Sequence, residues 1–456
     1  MRTRTIALGI AGLVAVAALA PMARADVPAA TPVLPGSAEA YYSPRATLPM
    51  AQSPQGLRHF LSHDQPQYDE QSYVWAGSLI EADGSVNALA VEMQRNDSLG
   101  GLVAIPAVTA GILVNRESDP GYVIGGLGGL PDLTIPLALT SVPWSARAQS
   151  FTPGQQPDYV DVRVVEGQIG ERGAVYEFSA DVPDIADGPN KGRRMQVYVR
   201  AVDTTGVMQW GYGPSGFMPM WIYPPQRAAI MDTYDGSVGD YLAATRDRMG
   251  SQGTYYFSSP LLKVQDFRVA IDGRRVSHGS DGWLWMDNVE RSFDQRAQDV
   301  VDNGVSWLEF SVQIPKTRQA LKIGYTQQAS VGRFPYAMLS AVDAPTARNG
   351  ARTAQMTWNL DGIRFHPVPG SKWTNPATGH TYYLKYRVNL DDSGTGKKST
   401  LWFTAALPKQ EAVISTRSVF EGLFRMKGTI DGKPVEGWGF GELQPVGSLS
   451  TGSQAG

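Results

Sequence analysis

The chain has 456 residues, a formal net charge of −3 and no cysteine. Without a thiol, cysteine catalysis, zinc–thiolate centres and iron–sulfur clusters are excluded, and the slightly acidic balance offers nucleic acid no basic surface. Forty-nine glycines and 31 prolines, together with 11 Trp, 19 Tyr and 14 Phe, point to many short strands joined by tight turns.

The first element is a leader. Arg2 and Arg4 precede an apolar run from Ile6 to Ala20, and Ala23-Arg24-Ala25 follows it. This order predicts a secretory signal cleaved after Ala25, and with it a secreted or periplasmic protein beginning at Asp26. The run is too short and wrongly flanked to span a membrane, so no integral segment is expected after cleavage. Cleavage removes Arg2, Arg4 and Arg24 and no acid, which makes the remainder more acidic. The roughly 430 residues left exceed what one core usually serves, and two domains are expected. Residues 26–65 are rich in Pro, Ala and Ser and read as a leader or linker. His59 and His63 lie in it four residues apart, but without a helix or a zincin-type glutamate they are assigned no metal.

The folded part is expected to begin near Tyr68. Tyr73 to Ile80 and Val86 to Met93 flank Asp83-Gly84 and predict a hairpin. Leu99 to Trp144 is rich in glycine and aliphatics, and Arg116, Glu117 and Asp119 interrupt any long apolar run. It reads as an elaborated loop or an extra pair of strands. Val238 to Met249 is the best helical candidate, or a loop, and Leu261 to Ala270 reads as strand.

Two later hairpins resemble each other. Ile271-Asp272-Gly273-Arg274-Arg275-Val276 and Ile430-Asp431-Gly432-Lys433-Pro434-Val435 share an Ile-Asp-Gly-basic-x-Val core. Each leads into a Gly/Trp-rich strand, Gly282-Trp283-Leu284-Trp285 and Gly437-Trp438-Gly439-Phe440. The pair suggests two related domains, each closing with the same hairpin, and Gly437, Gly439 and Gly441 fit barrel corners. The last residues, 447–456, read as a polar tail.

Familiar catalytic and cofactor signatures are missing. No Gly-x-Ser-x-Gly elbow occurs, Gly125 to Gly129 lacks the strand and helix of a dinucleotide site, and Gly394 to Ser399 lacks the first glycine of a phosphate loop and reads as a polar hairpin tip. No cofactor or metal is expected. The segment Gly282 to Arg291 stands out instead. On a strand, Trp283, Trp285 and Asp287 share one face, and Leu284, Met286 and Asn288 share the other. A carboxylate beside two tryptophans is either a solvated rim residue or an acid in an apolar pocket, where its proton affinity rises.

Trp75-x-Gly77-x-Leu79 with Asp83-Gly84, Gly211-Tyr212-Gly213, Tyr255 to Leu261 and the Trp285-Met286-Asp287 segment, in this order, resemble the double-lipocalin superfamily of carotenoid 1,2-hydratases, kievitone hydratase and decalin-forming Diels–Alderases. Trp373 to Gly379, Phe420-Glu421-Gly422 and Gly428 to Glu442 extend the resemblance through the second half. It implies an all-β fold of two tandem lipocalin-like antiparallel β-barrels, over about residues 66–300 and 301–446, with an acid–base or cyclisation site in an apolar cavity at their junction. The family motif is aspartate, histidine, any residue and an aromatic. Here Asp287 keeps the first position, while Asn288 and Glu290 replace the histidine and the aromatic, and asparagine cannot shuttle a proton at neutral pH.

Two functions are therefore expected. One is an enzyme of the lyase or isomerase type that hydrates, isomerises or cyclises a terpenoid-, carotenoid- or polyketide-like molecule. Asp287 would be its acid, Glu290 or Asn288 would orient it, and Trp285, Trp283, Tyr256 and Trp307 would wall the ligand. The other is a non-catalytic carrier of a lipophilic small molecule.

Overall fold

The computed structural model describes residues 70–96, 107–116, 119–127, 145–149, 157–184, 191–210, 232–233, 255–291, 305–328, 332–341, 354–358, 362–391, 397–414 and 417–447. The leader, the tail, His59, His63 and Val238 to Met249 lie outside them. The protein is all-β. Among the described residues no α-helix occurs, and no helix is long and apolar enough to cross a membrane.

The first half contributes β1 (Glu70–Ile80), β2 (Val86–Asn96), β3 (Ala107–Arg116), β4 (Asp119–Leu127), β5 (Ser145–Gln149) and β6 (Tyr159–Glu166). It continues with β7 (Val175–Pro183), β8 (Arg194–Asp203), β9 (Met208–Trp210), β10 (Tyr255–Ile271), β11 (Arg274–Gly279) and β12 (Asp281–Arg291). The second half contributes β13 (Val305–Ile314), β14 (Gln319–Gln328), β15 (Gly332–Ala341), β16 (Ala354–Thr357), β17 (Ile363–Pro367) and β18 (Lys372–Thr374). Then come β19 (Thr381–Tyr383), β20 (Lys385–Leu390), β21 (Ser399–Ala405), β22 (Glu411–Ile414), β23 (Arg417–Ile430) and β24 (Lys433–Leu443).

The two halves fold alike. The first sheet runs β4-β3-β2-β1-β12-β10-β8-β7-β6-β5, and the second runs β16-β15-β14-β13-β24-β23-β21-β20-β17. In each, the last long strand pairs with the first, β12 with β1 and β24 with β13, and every pairing is antiparallel. The internal resemblance of the two Ile-Asp-Gly hairpins therefore reflects a shared topology. Both turns place an aspartate and a glycine at positive φ, Asp272 (49°) with Gly273 (75°) and Asp431 (51°) with Gly432 (75°), the backbone of a two-residue primed turn. The Gly-rich stretch after Leu99 supplies β3 and β4, which extend the first sheet beyond β2.

Alternation along the strands decides what each sheet encloses. Leu284 and Met286 of β12 pack with Trp75, Leu89, Phe178 and Phe267 in the first core. Phe310 and Val312 of β13 pack with Phe403, Phe424 and Met426 in the second. Gly441 has an interior role rather than a corner role. A Cβ there would meet the rings of Phe424 and Phe310 at 2.7 and 2.8 Å, so glycine makes room for the stacked aromatic core. The opposite faces of β1, β2, β10 and β12 meet the opposite faces of β13, β23 and β24. Val74, Ala76 and Ala90 pack on Phe440, and Val86 and Ala88 pack on Leu423 and Trp438. Burial of these small apolar side chains seals the two sheets together, and polar residues of the same faces are trapped between them.

Candidate active site at the junction of the two sheets

Asp287 lies on the face of β12 opposite the first core, and it is only 6% exposed. Its Oδ1 accepts from Ser258 Oγ and from Trp285 Nε1 (2.5 Å). Its Oδ2 accepts from Tyr256 Oη (2.5 Å), Lys322 Nζ (3.1 Å) and Ser311 Oγ (3.3 Å). Ser258 and Tyr256 come from β10, the strand beside β12, whereas Ser311 and Lys322 reach across from β13 and β14 of the second sheet. Asp287 is thus neither a solvated rim residue nor an acid in an apolar pocket, the two alternatives its sequence context offered. It is a buried acceptor surrounded by donors.

Lys322 is the counter-charge. It is fully buried, and besides Asp287 it reaches Glu309 Oε1 (2.8 Å), Ser311 Oγ (2.8 Å) and Tyr256 Oη (2.5 Å). Three N–H bonds meet four acceptors, so the ammonium is saturated. Burial pulls its pKa down, but Asp287 and Glu309 outweigh burial and hold it above the ordinary lysine value. Its Nζ also lies 4.1 Å from the Tyr256 ring centroid. Burial, and then the charge of Asp287, push the Tyr256 phenol well above its usual pKa, so it keeps its proton. Tyr336 Oη donates to Glu309 Oε2 (2.7 Å) and is raised in the same way, by burial and then by Glu309.

Beside this network stands a row of carboxyls. Glu309 of β13, Glu442 of β24 and Glu421 of β23 are directly cross-strand neighbours. Like charges so placed repel, and burial adds to the penalty on ionisation. Glu442 is accordingly pushed up to about 8, by burial first and then by Glu309, although Lys322 acts against the shift. Glu421 is raised well above the ordinary value by burial and then by Glu442, and Glu92 of β2 adds to both shifts. Glu442 Oε2 accepts from Trp307 Nε1 (3.0 Å), the one hydrogen bond that favours its charged form. Glu421 and Glu442 are each partly exposed.

The junction unites Asp287, Trp285, Tyr256 and Trp307, four of the residues singled out in the sequence. Trp285 is backed by Trp210, stacked at 5.8 Å, whose Nε1 donates to Ser258 Oγ (2.8 Å). Trp283 occupies the same face of β12 further along, half-buried, with Lys263 Nζ 4.9 Å over its ring. Asn288 is buried on the opposite face of β12, across from Tyr73 of the first core, and does not stand beside Asp287. Glu290 pairs through its backbone with Gln71 and Tyr255, and its side chain lies outside the described residues. Glu309, Ser311, Lys322, Tyr336, Glu421 and Glu442 were not singled out by motif. Among the described residues, no group of three or more His, Asp or Glu side chains is arranged to hold a metal ion.

No family model matches the sequence, and no curated protein matches it. Solved structures do match in fold. An AttH-type protein from Nitrosomonas europaea is similar with a TM-score of 0.54 at 16% identity, over 91% of this chain and 99% of that one. Kievitone hydratase from Nectria haematococca is similar with a TM-score of 0.52 at 13% identity, over 87% of this chain and 97% of that one. The two-barrel architecture that the sequence resemblance implied is thus shared along nearly the whole of both proteins.

Proposed function

We propose that this protein is an exported enzyme that moves a proton on a lipophilic, unsaturated or carbonyl-bearing small molecule, with hydration, isomerisation or cyclisation as the outcome. One arrangement carries the reading: Glu442 stands between two cross-strand carboxyls, Glu309 and Glu421, at the junction of the sheets, and burial and then Glu309 push its pKa up to about 8. An acid that keeps its proton near neutrality, in surroundings where it retains access, is what protonation of a double bond or carbonyl needs. Glu442 is the donor in this reading. In a hydration its proton goes to one carbon, water oxygen bonds to the other, and the proton lost by that water restores the carboxyl.

Asp287 takes a different part from the acid that its sequence context suggested. Saturated by donors, it holds Tyr256 and Lys322 in place, so that the phenol and the ammonium form a fixed polar wall of the junction. Trp285, Tyr256 and Trp307 offer aromatic faces to an apolar substrate or a carbocation. The kinship in fold with kievitone hydratase is consistent with such chemistry and carries no part of the argument.

The test uses the lipophilic molecule that co-purifies with the full chain, identified by native mass spectrometry and returned to the protein in D₂O. Incorporation of deuterium at carbon by wild type, lost in Glu442→Gln with binding retained, is the expected result. Release of the molecule unlabelled by wild type would leave a carrier and reject the enzyme.

A further inference from the structure

The outward face of the second sheet, beyond the part that packs on the first sheet, carries a concentration of cations around an exposed tryptophan. Register places Arg387 (β20), Trp402 (β21) and Lys427 (β23) directly side by side. The adjacent row holds Lys385, Thr404 and Arg425. Trp402 is 38% exposed, one of three large hydrophobic side chains so exposed among the described residues. Lys385 Nζ and Arg387 Cζ lie 5.2 and 6.0 Å from its ring centroid. The acids at the margins are few. Glu436 pairs with Lys427 (2.9 Å), and at the far edge Asp391 pairs with Arg364 (2.9 Å). In a chain of net charge −3 this face is locally basic.

Trp402 thus keeps part of its ring exposed while two of the cations lie over it. Exposed tryptophan ringed by lysine and arginine is the composition of a surface that meets a lipid interface, where the indole enters the headgroup layer and the cations meet lipid phosphates. The face also runs into the junction. Arg425 Cζ sits 4.7 Å over the ring of Trp438, and Trp438 packs against Val86, Ala88 and Leu423 between the two sheets.

We propose that this face docks the protein on a membrane surface bearing anionic phospholipids, with Trp402 as the inserted anchor and Lys385, Arg387, Arg425 and Lys427 as its electrostatic contacts. Docking here would bring the edge of the junction to a lipid phase. The inference stands on the surface alone and is read without substrate, so its failure leaves the proton-transfer reading untouched.

The experiment is co-sedimentation of the full chain with vesicles of phosphatidylcholine alone or of phosphatidylcholine mixed with phosphatidylglycerol, at low and high salt. Wild type should bind the anionic vesicles in a salt-sensitive way and bind the neutral ones weakly. Arg387→Gln and Lys427→Gln should each weaken binding on the order of fivefold. Trp402→Ser should weaken binding at both salt concentrations, since an inserted ring is not screened. The N-terminus is common to all variants, and melting curves identify any that fail to fold; salt titration of wild type then still reads the electrostatic contribution. Equal binding to both vesicle types, or no binding, would overturn the proposal. So would retention of wild-type binding in Trp402→Ser together with tight binding to a soluble polyanion such as heparin, which would assign the face to a polyanion instead.

Discussion

Replacing Lys322 by Met removes the only cation that contacts Asp287 and Glu309 among the described residues and leaves two buried carboxylates facing a third carboxyl, Glu442. Methionine matches the lysine stem in length, so packing changes little and the effect is electrostatic. Breaking a buried pair on one side costs about 3–5 kcal/mol, which in a domain of this size lowers the melting temperature by roughly 10 °C. The loss depends on pH. Without the cation, Asp287 and Glu309 can be neutralised only by proton uptake, so the folded variant retains protons that the unfolded chain releases. Stability of the variant relative to wild type should therefore fall as pH rises through and above the ordinary carboxylate range, and recover towards acid. Adding Glu309→Gln, which removes one of the stranded charges, should restore part of the loss. Thermal melts of wild type and both variants between pH 4.5 and 8.5 measure this. A Lys322→Met protein as stable as wild type at every pH, or one whose deficit does not vary with pH, would refute the electrostatic account of the junction.

Other expectations follow from the same geometry. Because Glu442 is raised in the folded state to about 8, its contribution to stability is fully present below about 4.5 and is lost as pH rises through 8; Glu442→Gln should flatten that loss in the same melts. Tyr256→Phe removes one donor to Asp287 Oδ2 and one acceptor of Lys322, and should cost about 1–3 kcal/mol by chemical denaturation, with the fold retained. Asp287→Asn turns an NH₂ towards a cluster made of donors, so it should destabilise the protein as well as slow any turnover, and isotope incorporation and melting should both report it. The mass of the exported protein should begin at Asp26; a full-length chain retained in the cytoplasm would reject export.

The fold was legible because its signals are local. Asp-Gly at 272–273 and 431–432 specifies primed turns whatever surrounds it, and the repeated Ile-Asp-Gly hairpins announced two halves that indeed share one strand order. Strand parity correctly placed Asp287 on the face of Trp285, away from Asn288. The rest of the site was not legible, for a physical reason. Glu309, Ser311 and Gln313 alternate with Leu308, Phe310 and Val312, and Lys322 stands between Leu321 and Ile323. That pattern is also written by any strand with one face in water. Only the meeting of two outer faces turns those polar residues into a buried network, and that contact is long-range, beyond the reach of periodicity. Glu442 carries no motif either, and its raised pKa depends on burial between the sheets and on Glu309 of the neighbouring strand, neither of which periodicity reveals.

The central claim, that the junction holds a protonated carboxyl near neutral pH, is open to direct measurement. In carbon-detected NMR with ¹³C-labelled glutamate, the wild-type protein should show a side-chain carboxyl resonance titrating near 8 that disappears in Glu442→Gln. If every glutamate resonance removed by that substitution titrates in the ordinary range of about 4.3, Glu442 is ionised at neutral pH and the proposed proton donor does not exist.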